Sequence, residues 1–443
     1  MKKTLIKYPY LTKDVEIYER ENGHKIVLAH KEGEMVNVSS WVKTGSINEN
    51  DSNNGISHFL EHLMFKGTHA YKVGEFDRML ESKGGIVNAA TWKDYTFYYV
   101  TLPKGENNKY FELALDLHAD MMMDPVFPAE ELGAPFDLND STVTDKRERH
   151  VVIEEIRMRL DQPWTKVYNI CNRNMYKSHP YKRDVIGTPD IISKLTREDI
   201  DNYYRSFYSP KNITTIIVGD FDHEEVLNKI CEKFTFPNRI ETPEQKHDID
   251  CPENETKYIE TEANVQTSYA MFGWLGPKAA ELKPSICLDL ISIIFGDGSS
   301  SRLQQNLIEK PDDKIFNVVG TEHYQFKDGN NFFIQANFKH EAKEKAIELL
   351  KFELKNLIDN KITDEELLKA KKRIKSRFAN EAETVSDIGE NIGYYITVCG
   401  DLKLIEDYLT DLENISIKDL EDTIKKYLPI EKAVISVLVP AKG

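Results

Sequence analysis

The chain has 443 residues, which indicates more than one domain. Its formal net charge of −16 at pH 7 disfavours nucleic acid as a partner. With 40% hydrophobic and 30% charged residues, the composition is that of a globular protein, which excludes disorder and fibres. The longest apolar runs, 215–218 and 290–295, are too short to cross a bilayer, so no membrane partner is expected.

Neither the beginning of the chain nor its cysteines indicate an exported protein. Lys7 and Pro9 interrupt the apolar run that a signal peptide needs after its first charges. The five cysteines are far apart and form no Cys-x-x-Cys pair, which is typical of reduced thiols rather than of disulfides or a thiolate zinc site. We therefore expect a cytoplasmic protein.

The first third of the chain predicts a sheet interrupted by helices. Asn22-Gly23 supplies the positive φ values of a tight hairpin turn, so a strand is expected on each side. Apolar periodicity then alternates between the strand type and the helix type. The predicted strands are 15–19, 25–29, 36–42, 86–91 and 95–102, and the predicted helices are 55–65, 73–82, 107–123 and 146–160. Because these elements come in blocks rather than as βαβ units, the predicted fold class is α+β.

A surface linker divides the chain into two similar halves. Residues 237–255 are rich in Pro, Glu, Asn and Asp and poor in apolar side chains. A helix cap at Thr196 is followed by a proline break and a strand, and the same succession begins at Ser416 in the second half. This repeat predicts an internal duplication, with domains at 1–236 and 256–443.

One short motif indicates the chemistry. His58 and His62 are four residues apart on a predicted helix, so both imidazoles can reach one metal ion. A catalytic zinc needs three protein ligands and an open fourth position. Glu61 projects beside the same face, where its carboxylate can accept a proton from an attacking water as general base. The alternative is a surface helix with two solvated histidines.

The third ligand should be an acidic residue from another segment. Residues 148–156 are the best candidate, because apolar side chains would bury this helix against the first half. Glu148 and Glu155 are seven residues apart and share a face, so one can bind the metal while the other orients a histidine. Alternatively, each glutamate is an ordinary salt-bridged surface residue. The apolar side chains expected to bury the helix are Val151, Val152, Ile156 and Leu160.

These motifs resemble the pitrilysin and insulin-degrading-enzyme family of zinc peptidases, the inverzincins. The resemblance rests on residues 55–68, 84–91 and 148–155, and the segments 179–181 and 187–189 also match, so it covers essentially the whole chain. The short two-domain chain is most similar to the mitochondrial-processing-peptidase branch and its bacterial relatives. The resemblance implies two similar α+β domains, each a mostly antiparallel sheet covered by helices, and two such chains enclosing a clamshell chamber.

The resemblance also implies roles for individual residues. His58, His62 and Glu155 match the zinc ligands, and Glu61 matches the general base. Glu148 matches the acidic residue seven positions before the third ligand, and we count it with Glu61 in the catalytic site. An edge strand, rather than an internal strand, is expected to bind an extended peptide through main-chain hydrogen bonds. Its expected substrate-binding residues are Asn88, Ala89, Ala90 and Thr91.

The spacing of the third ligand departs from the family pattern. The interval from His62 to Glu155 is longer than usual, and residues 131–145 have the loop composition of an insertion. The choice of Glu155 therefore depends on the local pattern of the helix. If the helix phase differs, Glu154 becomes the ligand.

The second half departs from the family pattern as well. Active members present an Arg and a Tyr there, seven residues apart, that steady the substrate carbonyl and the developing oxyanion. Ile308 occupies the Arg position, and Ile315 or Phe316 occupies the Tyr position. None of these side chains can donate a hydrogen bond to an oxyanion. Arg302 is a candidate substitute, although a solvated arginine at a helix start is the simpler interpretation.

We therefore expect the zinc-bearing subunit of a heterodimeric endopeptidase that cleaves unfolded peptides, with a related partner supplying the Arg and the Tyr. A homodimer is the other open arrangement. The main alternative is a non-catalytic scaffold or peptide-binding subunit of the same fold. A third hypothesis is a zinc hydrolase that acts on a non-peptide bond.

Overall fold

In the computed structural model the chain folds into two units, each built around its own sheet. The structure describes residues 1–140, 142, 147–237, 239–243, 245–247, 255–359 and 361–441. Unit 1 comprises Met1–Arg157, Arg183–Lys246 and Ala379–Glu406, and unit 2 comprises Met158–Lys182, His247–Phe378 and Asp407–Gly443. Neither unit is a continuous stretch of chain.

Unit 1 contains a 7-stranded sheet in the order β1-β2-β3-β7-β4-β6-β5. The strands are β1 (Lys2–Ile6), β2 (Val15–Glu19), β3 (Lys25–His30), β4 (Met35–Val42), β5 (Ile86–Thr91), β6 (Thr96–Pro103) and β7 (Ile213–Gly219). Strand β7 pairs parallel with β3 and antiparallel with β4, and the other pairs are antiparallel. The structure therefore confirms every predicted strand of the first third and adds β1 at one edge.

The helices of unit 1 cover both faces of this sheet. On one face, Val36 and Val38 of β4 lie in the core with helices from the first half of the sequence. On the opposite face, Gly393 of a helix from the second half of the sequence packs on Trp41 of β4. The helices are α1 (Ile56–Met64), α2 (Glu75–Glu81), α3 (Lys109–Met123), α4 (Ala129–Leu132), α5 (Glu148–Asp161), α7 (Pro189–Ile192), α8 (Arg197–Phe207), α9 (His223–Lys233) and α13 (Val385–Tyr394).

Unit 2 contains a 5-stranded sheet in the order β10-β11-β9-β12-β8. The strands are β8 (Lys257–Ala263), β9 (Ser268–Leu275), β10 (Phe316–Tyr324), β11 (Asn331–Phe338) and β12 (Val434–Pro440). The helices are α6 (Pro163–Met175), α10 (Leu282–Phe295), α11 (Lys343–Asp359), α12 (Asp364–Asn380), α14 (Leu404–Asn414) and α15 (Ile417–Tyr427). Helix α6 comes from the first half of the sequence and packs on β9 and β12.

Five strands of the first sheet, in the order β3-β7-β4-β6-β5, have the same topology as the second sheet, β8-β12-β9-β11-β10. Strand β12 pairs parallel with β8 and antiparallel with β9, as β7 does with β3 and β4. The helices before β7 and β12 begin with matching capping boxes, Thr196 with Asp199 and Ser416 with Asp419. The α+β class and the duplication are thus confirmed.

The linker 237–255 and the segment 131–145 lie partly outside the described residues, and Cys251 lies wholly outside them. The four cysteines within the described part of the chain are all free. No helix among the described residues has the length and apolarity needed to cross a membrane.

Candidate metal centre

Helix α1 carries the His-x-x-Glu-His motif and begins at a tightly fixed point. Gly55 precedes it with φ +97, and a Cβ atom there would lie 2.7 Å from the carbonyl oxygen of Ile186. The buried carboxylate of Glu49 accepts hydrogen bonds from the backbone N–H groups of Gly55 (2.7 Å) and Ser57 (2.9 Å). These contacts satisfy amides at the helix N-terminus, which have no partner within the helix.

Helix α5 carries the two predicted glutamates and is fixed by a buried arginine. Arg149 donates hydrogen bonds to the carbonyl oxygens of Gly133 (3.1 Å), Leu195 (2.7 Å) and Ile192. Its guanidinium also lies 5.3 Å from the centre of the Phe59 ring on α1. Arg149 therefore holds α5 against the helix that carries the histidines.

The predicted apolar stripe of α5 was partly wrong. Val151 and Leu160 are exposed, at 48% and 37%, whereas Val152 and Ile156 are buried as expected. Ile153 is buried as well, because positions 149, 152, 153 and 156 lie on one helix face and position 151 lies on nearly the opposite face. Leu160 shares the buried face but stands at the C-terminal end of α5.

His58, His62 and Glu155 converge on one point. The Oε2 atom of Glu155 lies 3.7 Å from Nε2 of His58 and 3.5 Å from Nε2 of His62. Four-coordinate zinc with bonds of about 2.0–2.1 Å separates its ligand atoms by about 3.3–3.4 Å, so the three donors fit this ion. Within the described residues, no other group of three His, Cys, Asp or Glu side chains presents its ligand atoms this close together.

Glu148 lies behind His62, on the side away from Glu155. Its Oε1 atom accepts a hydrogen bond from Nδ1 of His62 at 2.8 Å, which leaves Nε2 of that ring directed at Glu155. Burial opposes the charged imidazole, but the hydrogen bonds to Glu148 and Glu155 outweigh it and raise the pKa of His62 to about 9. Glu154, the alternative ligand, is paired instead with Arg157 at 2.5 Å.

Glu61 is a residue of α1, and its side chain reaches the end of strand β5. The hydroxyl of Thr91 donates a hydrogen bond of 2.5 Å to Oε2 of Glu61. Sequence reasoning placed Thr91 on the substrate strand and missed this bond, since nothing in a strand pattern reports which side chain faces a neighbouring helix.

Strand β5 is an edge strand, as predicted. Among the described strands it pairs with β6 alone, so its other side offers main-chain N–H and C=O groups. Asn88 is exposed, and Ala89, Ala90 and Thr91 are half-buried. The strand ends at the residue that binds Glu61, so a chain paired with it would run towards the cluster.

The second unit offers no oxyanion donor at the expected positions. Ile315 and Phe316 are buried in its core, and Ile308 packs against that core. The expectation that Arg302 is solvated was wrong, because its guanidinium forms two hydrogen bonds of 2.7 and 2.8 Å with the carboxylate of Glu366. A residue bound in this way is not presented to a substrate.

Comparisons with known proteins identify the family of this chain. The family model described as "Insulinase (Peptidase family M16)" matches residues 25–189, and that described as "Peptidase M16 inactive domain" matches residues 194–374. The zinc protease PqqE of Helicobacter pylori is 30% identical over 95% of this chain and 91% of its own length. A probable mitochondrial-processing peptidase subunit beta of Arabidopsis thaliana is 22% identical over 91% of this chain and 74% of its own length.

A solved structure extends the likeness to the fold. The crystal structure of a protease from Helicobacter pylori superimposes with a TM-score of 0.83 at 28% identity and covers 97% of this chain and 100% of that one. Family models, relatives and fold therefore agree. This chain belongs to the insulinase family, peptidase family M16.

Proposed function

We propose that this chain is the zinc-bearing subunit of an endopeptidase that hydrolyses unfolded peptides. The observation that carries the proposal is the convergence of His58, His62 and Glu155 beside Glu61 at the end of an edge strand. A scaffold has no physical need for a carboxylate held between a three-donor cluster and a strand that offers free main-chain groups.

Each residue of the site would have a separate role in hydrolysis. His58, His62 and Glu155 would hold the zinc ion, which when bound lowers the pKa of a water and polarises a carbonyl. Glu61 accepts the proton of the attacking water and returns it to the leaving amine. Thr91 donates a hydrogen bond to one oxygen of Glu61 and so orients the carboxylate that would take that proton.

The substrate class follows from strand β5. An extended peptide can add to this edge from Asn88 to Thr91, and its affinity then comes largely from main-chain hydrogen bonds. Most segments of a folded protein already have their main-chain groups paired, so we propose unfolded peptides as substrates.

A related subunit would complete the site. The positions expected to hold the stabilising Arg and Tyr are apolar here, and Arg302 is bound to Glu366. Loss of one oxyanion donor costs a factor of about 10² to 10³ in turnover, so the chain alone should be slow. We favour a heterodimer over a homodimer, because two copies of this chain would both lack the stabilising Arg and Tyr. A cytoplasmic location also stays a prediction.

The direct test is Glu61→Gln in the zinc-loaded protein. We expect zinc content to be unchanged, because Glu61 is not among the three donors, and hydrolysis of a mixed peptide pool to be lost. Glu154→Gln is the matched control: it removes a carboxylate beside Glu155 that is paired with Arg157, and it should leave both properties intact. Equal hydrolysis by Glu61→Gln and the unchanged protein would refute the proposed base.

A non-catalytic scaffold is the second candidate. Two observations favour it, the match of residues 194–374 to the "inactive domain" model and the missing oxyanion donors. A scaffold would show no zinc-dependent cleavage with any related partner chain, whereas the proposed enzyme gains activity when the complementary chain is added.

A further inference from the structure

We propose that Lys66 is a positioning residue of the metal centre, whose ammonium group holds the carboxylate of Glu148 in the orientation that binds His62. The Nζ atom of Lys66 lies 2.5 Å from Oε2 of Glu148, while Oε1 of the same carboxylate lies 2.8 Å from Nδ1 of His62. This inference rests on the proposed zinc site and deepens it.

The three side chains form a short chain of contacts that ends at the metal donors. Lys66 and His62 are four residues apart, at and just beyond the end of α1, so they approach Glu148 from the same helix end. Glu148 is the first residue of α5 and its side chain is only 11% exposed. Each carboxylate oxygen of Glu148 therefore has its own cationic or N–H partner.

The separate contacts of the two oxygens fix the orientation of the Glu148 carboxylate. With Oε2 bound to Lys66, rotation of the carboxylate would break a charged contact in a site that is largely removed from water. Oε1 then stays directed at Nδ1 of His62 and keeps the proton on that nitrogen. Nε2 then stays directed at Glu155, where it would exchange its proton for a zinc ion, and such outer contacts typically contribute a factor of 10 to 100 to metal affinity.

Loss of Lys66 should therefore weaken zinc binding through Glu148 and through no other route. The test measures the zinc dissociation constant of the full chain by competition with a chromogenic chelator. The variants are Lys66→Met, Lys66→Arg, Glu148→Gln and the double variant Lys66→Met with Glu148→Gln. Lys194→Met is the control, since it removes an equal charge from an exposed pair with Asp190.

We expect Lys66→Met to weaken zinc binding about 10-fold, Lys66→Arg to retain most of the affinity, and Lys194→Met to change nothing. The double variant should bind zinc as Glu148→Gln does, because Lys66 acts only on that carboxylate. If Lys66→Met is unstable, Lys66→Gln is measured in its place.

Two results would overturn the inference. One is a zinc dissociation constant for Lys66→Met within twofold of the unchanged protein. The other is a full additional loss from Lys66→Met in the Glu148→Gln background, which would indicate a general structural role. Failure of the unchanged chain to bind zinc would instead overturn the metal site itself, so the two failures are distinguishable.

Discussion

Replacing Arg149 with Met should destabilise unit 1 and loosen the candidate metal centre together. The guanidinium is fully buried and donates to three main-chain carbonyls, those of Gly133, Ile192 and Leu195. Each buried acceptor left without a partner costs about 1–3 kcal/mol, so the three together lose about 3–9 kcal/mol. Methionine recovers part of this loss, because burial of the guanidinium itself is unfavourable and lowers the pKa of Arg149 to about 10.

A net loss of about 3 kcal/mol in the free energy of unfolding is therefore expected, equivalent to a fall in Tm of about 6–12 °C. Urea unfolding followed by circular dichroism measures the first quantity, and chelator competition measures the accompanying loss of zinc affinity. Arg157→Met is the matched control on the same helix, where an exposed ion pair with Glu154 contributes little. A loss below 1 kcal/mol for Arg149→Met would refute the argument that this arginine holds α5 in place.

Three further outcomes are expected. Thr91→Val should lower kcat about 10-fold and leave KM and zinc content unchanged, whereas Thr91→Ser should retain the original kcat. An unchanged kcat in Thr91→Val would show that the hydroxyl does not orient Glu61. Arg302→Met should leave the peptidase activity of the zinc-loaded protein intact, and a 100-fold loss would instead identify Arg302 as the oxyanion donor. Burial lowers the pKa of His24 and of His118 to about 3. The unfolded state therefore binds more protons than the folded state between pH 6.5 and 3. As the pH is lowered through this range, the free energy of unfolding should decrease by about 1.4 kcal/mol per pH unit for each histidine. Urea titrations at pH 7 and pH 5 check this fall, which should be smaller for His118→Gln.

Local chemistry allowed much of unit 1 to be predicted from the sequence. The hairpin at Asn22-Gly23 was predicted correctly, but only Gly23 has the expected positive φ, +90, and Asn22 does not. The caps at Thr196 and Ser416 identified the duplication, since a capping hydroxyl acts within three residues of its position.

Long-range contacts explain what the sequence did not predict. Strand β1 is mostly exposed and has no alternation of buried and exposed residues, so it lacks the pattern that identifies a strand. The packing of α13 on the first sheet and of α6 on the second depends on tertiary contacts between distant segments. Arg149 and Lys66 were missed because charged residues are usually solvated, and only the fold shows that Arg149 is buried and that Lys66 is paired with Glu148.

The spacing of the metal donors was predictable to the extent that helix geometry determines it. His58 and His62 share a face by periodicity alone, and Glu148 and Glu155 do so on α5. The distance between the two helices was not predictable, because it depends on the buried contact of Arg149 with Phe59.

The most direct test of the central claim is turnover of a mixed peptide pool by the purified zinc-loaded chain, alone and with a related chain that carries the Arg and the Tyr. Glu61→Gln serves as the blank in both arms. We expect rapid cleavage in the combined arm, none with Glu61→Gln, and turnover about 10² to 10³ slower with the chain alone. Equal rates for the chain alone and with its partner would contradict the shared site, and cleavage by Glu61→Gln would contradict the peptidase mechanism.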